Sequence, residues 1–245
     1  MLAVIVAAAA WGAVTGWCAQ AALYRLSVPV GDPWQSTCPA GHRLPSGART
    51  WLLPVCPAGG HHYGDRRSVG VVCAAAAAIC GVLASATGAR PELVAWLLLA
   101  PPALVLGLID ARVHRLLDRL TLPLAAAVLL LLAAASLLPD SAGSLPTAAL
   151  GCVVLGAVFS VMFFISPRAM GFGDVKLGLF IGATLGWYGW STLLYGVLVG
   201  HILAAGYGIV LIARGKATAK TPIALGPPLL LGALLALAAG AAAVH

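Results

Sequence analysis

Apolar stretches of roughly twenty residues recur along this chain, and the connections between them hold nearly all of its charge. That alternation rules out an ordinary soluble domain. Hydrophobic residues make up 61% of the chain, charged residues 9%, and the mean hydropathy is +1.00, a balance that a water-facing surface does not tolerate. Apolar runs near 2–23, 69–88, 92–110, 121–138, 147–166, 177–189, 191–213 and 223–243 predict an all-α, polytopic integral membrane protein of about eight transmembrane helices. The sixth run is short, and Trp187-Tyr188-Gly189-Trp190 at its end reads as an aromatic belt at a tight turn.

Lys and Arg give a second, independent test of this topology, because short cytoplasmic loops retain positive charge. Thirteen of the fourteen fall in the odd-numbered connections. The first (25–68) carries Arg25, Arg43, Arg49, Arg66 and Arg67; the third Arg112, Arg115 and Arg119; the fifth Arg168 and Lys176; the seventh Arg214, Lys216 and Lys220. Only Arg90 lies on the other side. Both termini are therefore expected outside and the odd loops in the cytoplasm. The chain divides into a first helix (1–24), a cytoplasmic loop (25–68) and a seven-helix membrane core (69–245). Sidedness accounts for the net charge of +7, and no basic stripe interleaved with aromatics points to nucleic acid, so lipids are the expected surroundings. Residues 1–10 lack the charged start of a secretory signal, so the first helix reads as uncleaved.

Against this background two of only seven acidic residues stand out. Asp110 ends the third apolar run and Asp174 lies just before the sixth, which puts both at the cytoplasmic boundary. An ionisable group at that depth is costly and by default marks a pathway or a reaction. Helices three and six are expected to pack together there. Two carboxylates in a partly desolvated site hold one proton between them near neutral pH, the state in which one can activate water and the other can protonate a carbonyl oxygen. Gly171 and Gly173 beside Asp174 have no Cβ, so a substrate backbone can approach closely. Taken alone, Asp110 reads more readily as a helix cap or a partner for Arg112 than as a catalyst; the second carboxylate at matched depth reverses that preference.

The segment Asp110-Ala-Arg-Val-His-Arg-Leu-Leu-Asp118-Arg-Leu-Thr121-Leu-Pro123 resembles the D-x-R-x-x-x-I-P-D-x-L-T-L-P signature of type IV prepilin peptidases, and Gly171-Phe-Gly-Asp174-Val-Lys176-Leu resembles their G-x-G-D-x-K-L motif. Gly16 through Tyr24-Arg25-Leu26 is similar to the family's G-S-F-L-N-V-x-I-Y-R-L-P segment, with Gln20 at the Asn position. Thr221-Pro222-Ile-Ala-Leu-Gly226-Pro227 is similar to its I-P-F-G-P segment without the Phe. The resemblance implies a membrane-embedded aspartic endopeptidase with Asp110 and Asp174 catalytic. It would cut the basic leader of prepilins or pseudopilins, its partners, at the cytoplasmic face of the bacterial plasma membrane in pilus, competence or secretion systems. Asp118 matches a supporting position, although Thr121-Leu-Pro123 after it favours a helix cap. Lys176 either tunes a carboxylate and meets an acidic substrate residue, or is a positive-inside anchor.

The cytoplasmic loop departs from the family. Relatives carry two C-x-x-C pairs that read as a zinc site, whereas Cys38-Pro-Ala-Gly-His42 and Cys56-Pro-Ala-Gly-Gly-His61-His62 keep only the first Cys of each. Cys38, His42, Cys56 and His61 or His62 could form a Cys2His2 shell, or remain unliganded. Cys18, Cys73, Cys80 and Cys152 fall in apolar runs and read as small buried hydrophobes. Proteolysis by two carboxylates requires no cofactor. S-adenosylmethionine would enter only if the N-methyltransferase activity of many relatives is retained, and the loop has no Gly-rich β-α-β run to hold it. Two competing readings are a proton- or cation-coupled transporter with the aspartates as a relay, and a non-catalytic assembly protein.

Overall fold

The computed structural model describes residues 1–244 apart from 30, 46, 64–65, 168–169, 217, 219–220 and 222, and leaves out the side chains of 48, 49, 66 and 67. Asp65, Arg168, Lys220 and Pro222 therefore lie outside the described residues, as do the side chains of Arg49, Arg66 and Arg67. Nine helices appear among the described residues: α1 (Leu2–Leu26), α2 (Ala48–Leu52), α3 (Arg66–Thr87), α4 (Glu92–Val113), α5 (Asp118–Ser136), α6 (Leu145–Ile165), α7 (Phe172–Gly186), α8 (Trp190–Ala213) and α9 (Gly226–Ala243). Seven of them, all but α2 and α7, are long and apolar enough to cross a membrane, and the protein is an all-helical, multi-pass membrane protein.

The expected sixth span differs most from its prediction. It starts five residues early, at Phe172, and stops at Gly186, so its fifteen residues cover only about 22 Å. Eleven of those fifteen are buried, because α7 is wrapped by α5, α6, α8 and α9 rather than by lipid. Glycine makes the wrapping possible: Gly151 of α6 and Gly182 of α7 face each other so closely that a Cβ on either would collide with the other's carbonyl oxygen. Trp187 and Tyr188 correct the aromatic-belt reading. Trp187 is fully buried and Tyr188 turns inward, while Trp190 alone of the three is exposed.

α4 runs through Pro101 and Pro102 without a break. Pro101 has no N–H to give to the carbonyl of Leu97, and the indole N–H of Trp11 on α1 donates to that oxygen instead, at 2.9 Å. His201 of α8 is half-buried, its ring edge-on to Phe159 and its Nδ1 2.8 Å from the Val197 carbonyl oxygen.

A polar knot ties the end of the bundle opposite Asp110. Glu92, fully buried at the start of α4, lies 3.8 Å from Arg90 and accepts hydrogen bonds from the Tyr188 hydroxyl (3.3 Å) and the Ala142 N–H (3.4 Å). Arg90 in turn donates to the carbonyl oxygens of Thr87 and Ala241, each at 2.6 Å. One ion pair thereby joins the ends of α3 and α9 to the start of α4 and to two connections. Replacing Glu92 by Ala leaves a guanidinium without its carboxylate and is expected to cost about 3 kcal/mol. Thermal unfolding in detergent checks this, with Glu92→Gln, which still accepts hydrogen bonds, losing clearly less.

Candidate active site

Asp110 sits in the last turn of α4, 5% exposed, and its Oδ2 accepts a hydrogen bond from the backbone N–H of Gly226 at 3.0 Å. That N–H belongs to the first residue of α9, where no intrahelical acceptor is available, so the carboxylate uses a donor that the helix leaves over. Pro227 and Pro228 follow directly and suit a helix start, since neither has an N–H to satisfy. Gly is required at 226: a Cβ there would lie 2.7 Å from Asp110 Oδ2.

Asp174 occupies the first turn of α7, 7% exposed. Its Oδ2 accepts the N–H of Gly171, the residue that caps the helix, at 3.0 Å, and its own N–H donates to the Gly171 carbonyl at 3.0 Å. The two carboxylates are thus held in the same way, each by a backbone N–H at the start of a helix, and they lie within reach of each other's charge. Gly173 gives room on the other side, because a Cβ there would press on Leu116 at 2.7 Å in the α4–α5 connection.

One expectation is corrected. α4 and α7 do not pack directly on each other; α5 and α9 contact both and stand between them. The reason is again volume: α7 gives its glycine face to α6, and its remaining faces meet α5, α8 and α9.

Asp118 is not a cap. It is itself the first residue of α5, behind Leu117, and its carboxylate meets Lys176 Nζ at 2.5 Å while remaining 61% exposed. Lys176 also lies 4.6 Å above the Phe172 ring. This pair bridges the two motif segments, 110–123 and 171–177, directly, and it commits Lys176 to a carboxylate of the protein itself. Neither Gly226 nor Glu92 emerged from the sequence as a site residue. The Gly-Pro step at 226–227 was a visible signal for the first; for the second, a rare acidic residue two positions from the lone outer Arg was enough to notice.

In the loop, two hairpins repeat one design. Cys38 N–H donates to the His42 carbonyl and Cys56 N–H to the His61 carbonyl, each at 2.9 Å, with Gly41 and Gly60 at φ +83° and +67° making the turns. The isolated bridges Thr37 with Arg43 and Val55 with His62 close them. The hairpins meet so that one donor atom each from Cys38, His42, Cys56 and His61 lies within 4.8 Å of all the others, with His42 Nδ1 3.5 Å from Cys38 Sγ and 3.7 Å from Cys56 Sγ. Ligands of a tetrahedral zinc stand about 3.3–3.8 Å apart, so the donor set fits. His61, not His62, completes it. Burial works against ionisation of Cys38, but the backbone N–H groups of His42 and Ala40 and the side chains of Cys56 and His42 outweigh it and bring the thiol down to about 7.

Two buried carboxylates thus lie at one end of a helical membrane bundle. The Type IV leader peptidase family matches residues 93–209. Leader peptidase HopD of Salmonella typhimurium is 34% identical over 131 residues, which cover 51% of this chain and 79% of that protein. A prepilin leader peptidase/N-methyltransferase of Pseudomonas aeruginosa is 30% identical over 222 residues, 88% of this chain and 73% of that protein. One of the same name from Escherichia coli is 35% identical over 133 residues, 54% and 57% of the two chains. No solved structure matches the chain. The chain belongs to the type IV leader peptidase family. That membership gives no support to the transporter reading.

Gly226→Ala is expected to push Asp110 off its donor and lower peptidase activity about tenfold or more, the loss of one charge-assisted hydrogen bond. Initial rates on reconstituted protein, compared at equal expression, check it.

Proposed function

We propose that this protein is an aspartic endopeptidase that removes the leader of prepilins or pseudopilins, with Asp110 and Asp174 as the catalytic pair. The observation that carries the reading is the matched placement of two buried carboxylates, each on a helix-start N–H. The ionised member takes a proton from water as the oxygen attacks the scissile carbonyl; the protonated member donates to the carbonyl oxygen. Collapse of the tetrahedral adduct breaks the C–N bond and hands a proton to the leaving amine.

Sidedness supports a cytoplasmic cut. Among the described side chains, Arg112, Arg115, Arg119, Lys176, Arg214 and Lys216 belong to connections or helix ends on the Asp110 side, and Arg90 marks the other. A substrate cleaved at the inner edge of its own membrane segment needs carboxylates at that depth in a bacterial cytoplasmic membrane. Gly173 lets Leu116 pack closely against the start of α7, and the Asp118–Lys176 pair fixes one motif segment against the other.

Asp110→Asn and Asp174→Asn are each expected to abolish processing of a co-expressed prepilin without lowering protein level or membrane insertion; normal cleavage by either variant overturns the assignment. Wild-type cleavage should proceed without added S-adenosylmethionine, since the carboxylate chemistry uses no methyl donor. The second activity in the relatives' names is read separately, as methyl transfer to the new amine.

Zinc at Cys38, His42, Cys56 and His61 is part of the same proposal. The ion would fasten the two hairpins of the loop to each other next to α1, whose Arg25 donates to the carbonyl of Pro45 at 3.0 Å. Purified protein should contain about one zinc per chain and lose it in the Cys38→Ala, Cys56→Ala double variant, measured by elemental analysis. Metal-free wild-type protein with an unchanged unfolding temperature rejects it.

A further inference from the structure

An apolar groove of about 230 Å³ runs along α4 between α3 and α9, floored by Phe180 and Thr184 of α7. Its α4 wall runs from Trp96 to Ala111, sixteen residues whose ends stand about 22 Å apart, most of a bilayer's hydrocarbon depth. Four of the eight α4 residues that line it, Ala100, Ala103, Gly107 and Ala111, are Ala or Gly, the residues that let another helix approach closely where lipid supplies no hydrophobic driving force.

At its inner end the groove joins a second cavity, of about 560 Å³, and the two share Ala111, Pro227 and Leu231 as walls. Ala111 and Pro227 are the chain neighbours of Asp110 and Gly226, so the junction lies beside the Asp110–Gly226 hydrogen bond. Beyond it the walls stay largely apolar, with Leu203, Leu211 and Ile223, but His114, Lys216 and Thr221 add hydrogen-bonding groups that the first groove has almost none of.

We propose that this groove docks one face of the substrate's apolar helix, with the scissile segment unwound at the junction and its polar flank in the second cavity. The inference rests on the peptidase reading of Asp110 and Asp174. An apolar helix is the occupant because the groove has the length of a membrane segment, a small-residue wall, and direct continuity with the carboxylate that would cut at the segment's end. Ala103, mid-groove and away from both carboxylates, becomes a determinant of substrate preference.

The test uses the full chain in phosphatidylethanolamine–phosphatidylglycerol vesicles and two synthetic peptides sharing a basic leader with Gly at the cut. One continues with about twenty apolar residues, the other with about five. With a diazirine leucine in the long peptide, irradiation should place adducts on the 96–111 stretch of α4 and on α9. Ala103→Trp should raise KM for the long peptide and reduce the preference for long over short about tenfold, with Ala103→Ile giving a smaller shift in the same direction. Adducts confined to the outer faces of α6 or α8, or an unchanged preference in the Ala103 variants, overturn the groove. So does labelling of the groove by a diazirine phospholipid that the long peptide fails to displace. Adducts in the groove with no cleavage of either peptide by the wild type would instead reject the peptidase reading and leave the docking site standing.

Discussion

A carboxylate buried among membrane helices persists only where the fold itself supplies what water would have given. Here the supply comes from helix starts. The first N–H of α9 faces Asp110, and the capping N–H of α7 faces Asp174, so each side chain meets the partial positive charge at a helix N-terminus. For Asp110 this matters doubly, because it stands at the C-terminal end of its own helix, where the dipole is unfavourable. The glycine-proline start of α9 and the glycine cap of α7 both serve that requirement.

Much of this was legible from residue order. Apolar run length located every long helix, and the pairing of Asp110 with Asp174 came from their matched depth and motifs. Volume was less visible. The sixth run was visibly short, but that α7 would be surrounded by other helices depended on Gly151 meeting Gly182 across a contact that neither local segment announces. For the same reason direct packing of α4 on α7 was expected and is absent. Asp118 looked like a cap because Thr121 and Pro123 follow it; the partner that claims it is 58 residues away, and no local rule points there.

The cytoplasmic loop shows what a sequence pattern preserves when its letters change. Losing half of the cysteines removed the usual spacing signal, yet both hairpins keep the same backbone bonds and the same left-handed glycine turn, and each presents a histidine near the place of the missing thiol. Pattern matching sees a degenerate site. Donor geometry sees two thiols and two imidazoles gathered within 4.8 Å of one another.

The bridge between Asp118 and Lys176 has one partner largely in water, whereas the carboxylates it helps to space are buried. The fastening between the two motif segments is therefore open to salt, which screens it while leaving the buried hydrogen bonds of the acids largely untouched.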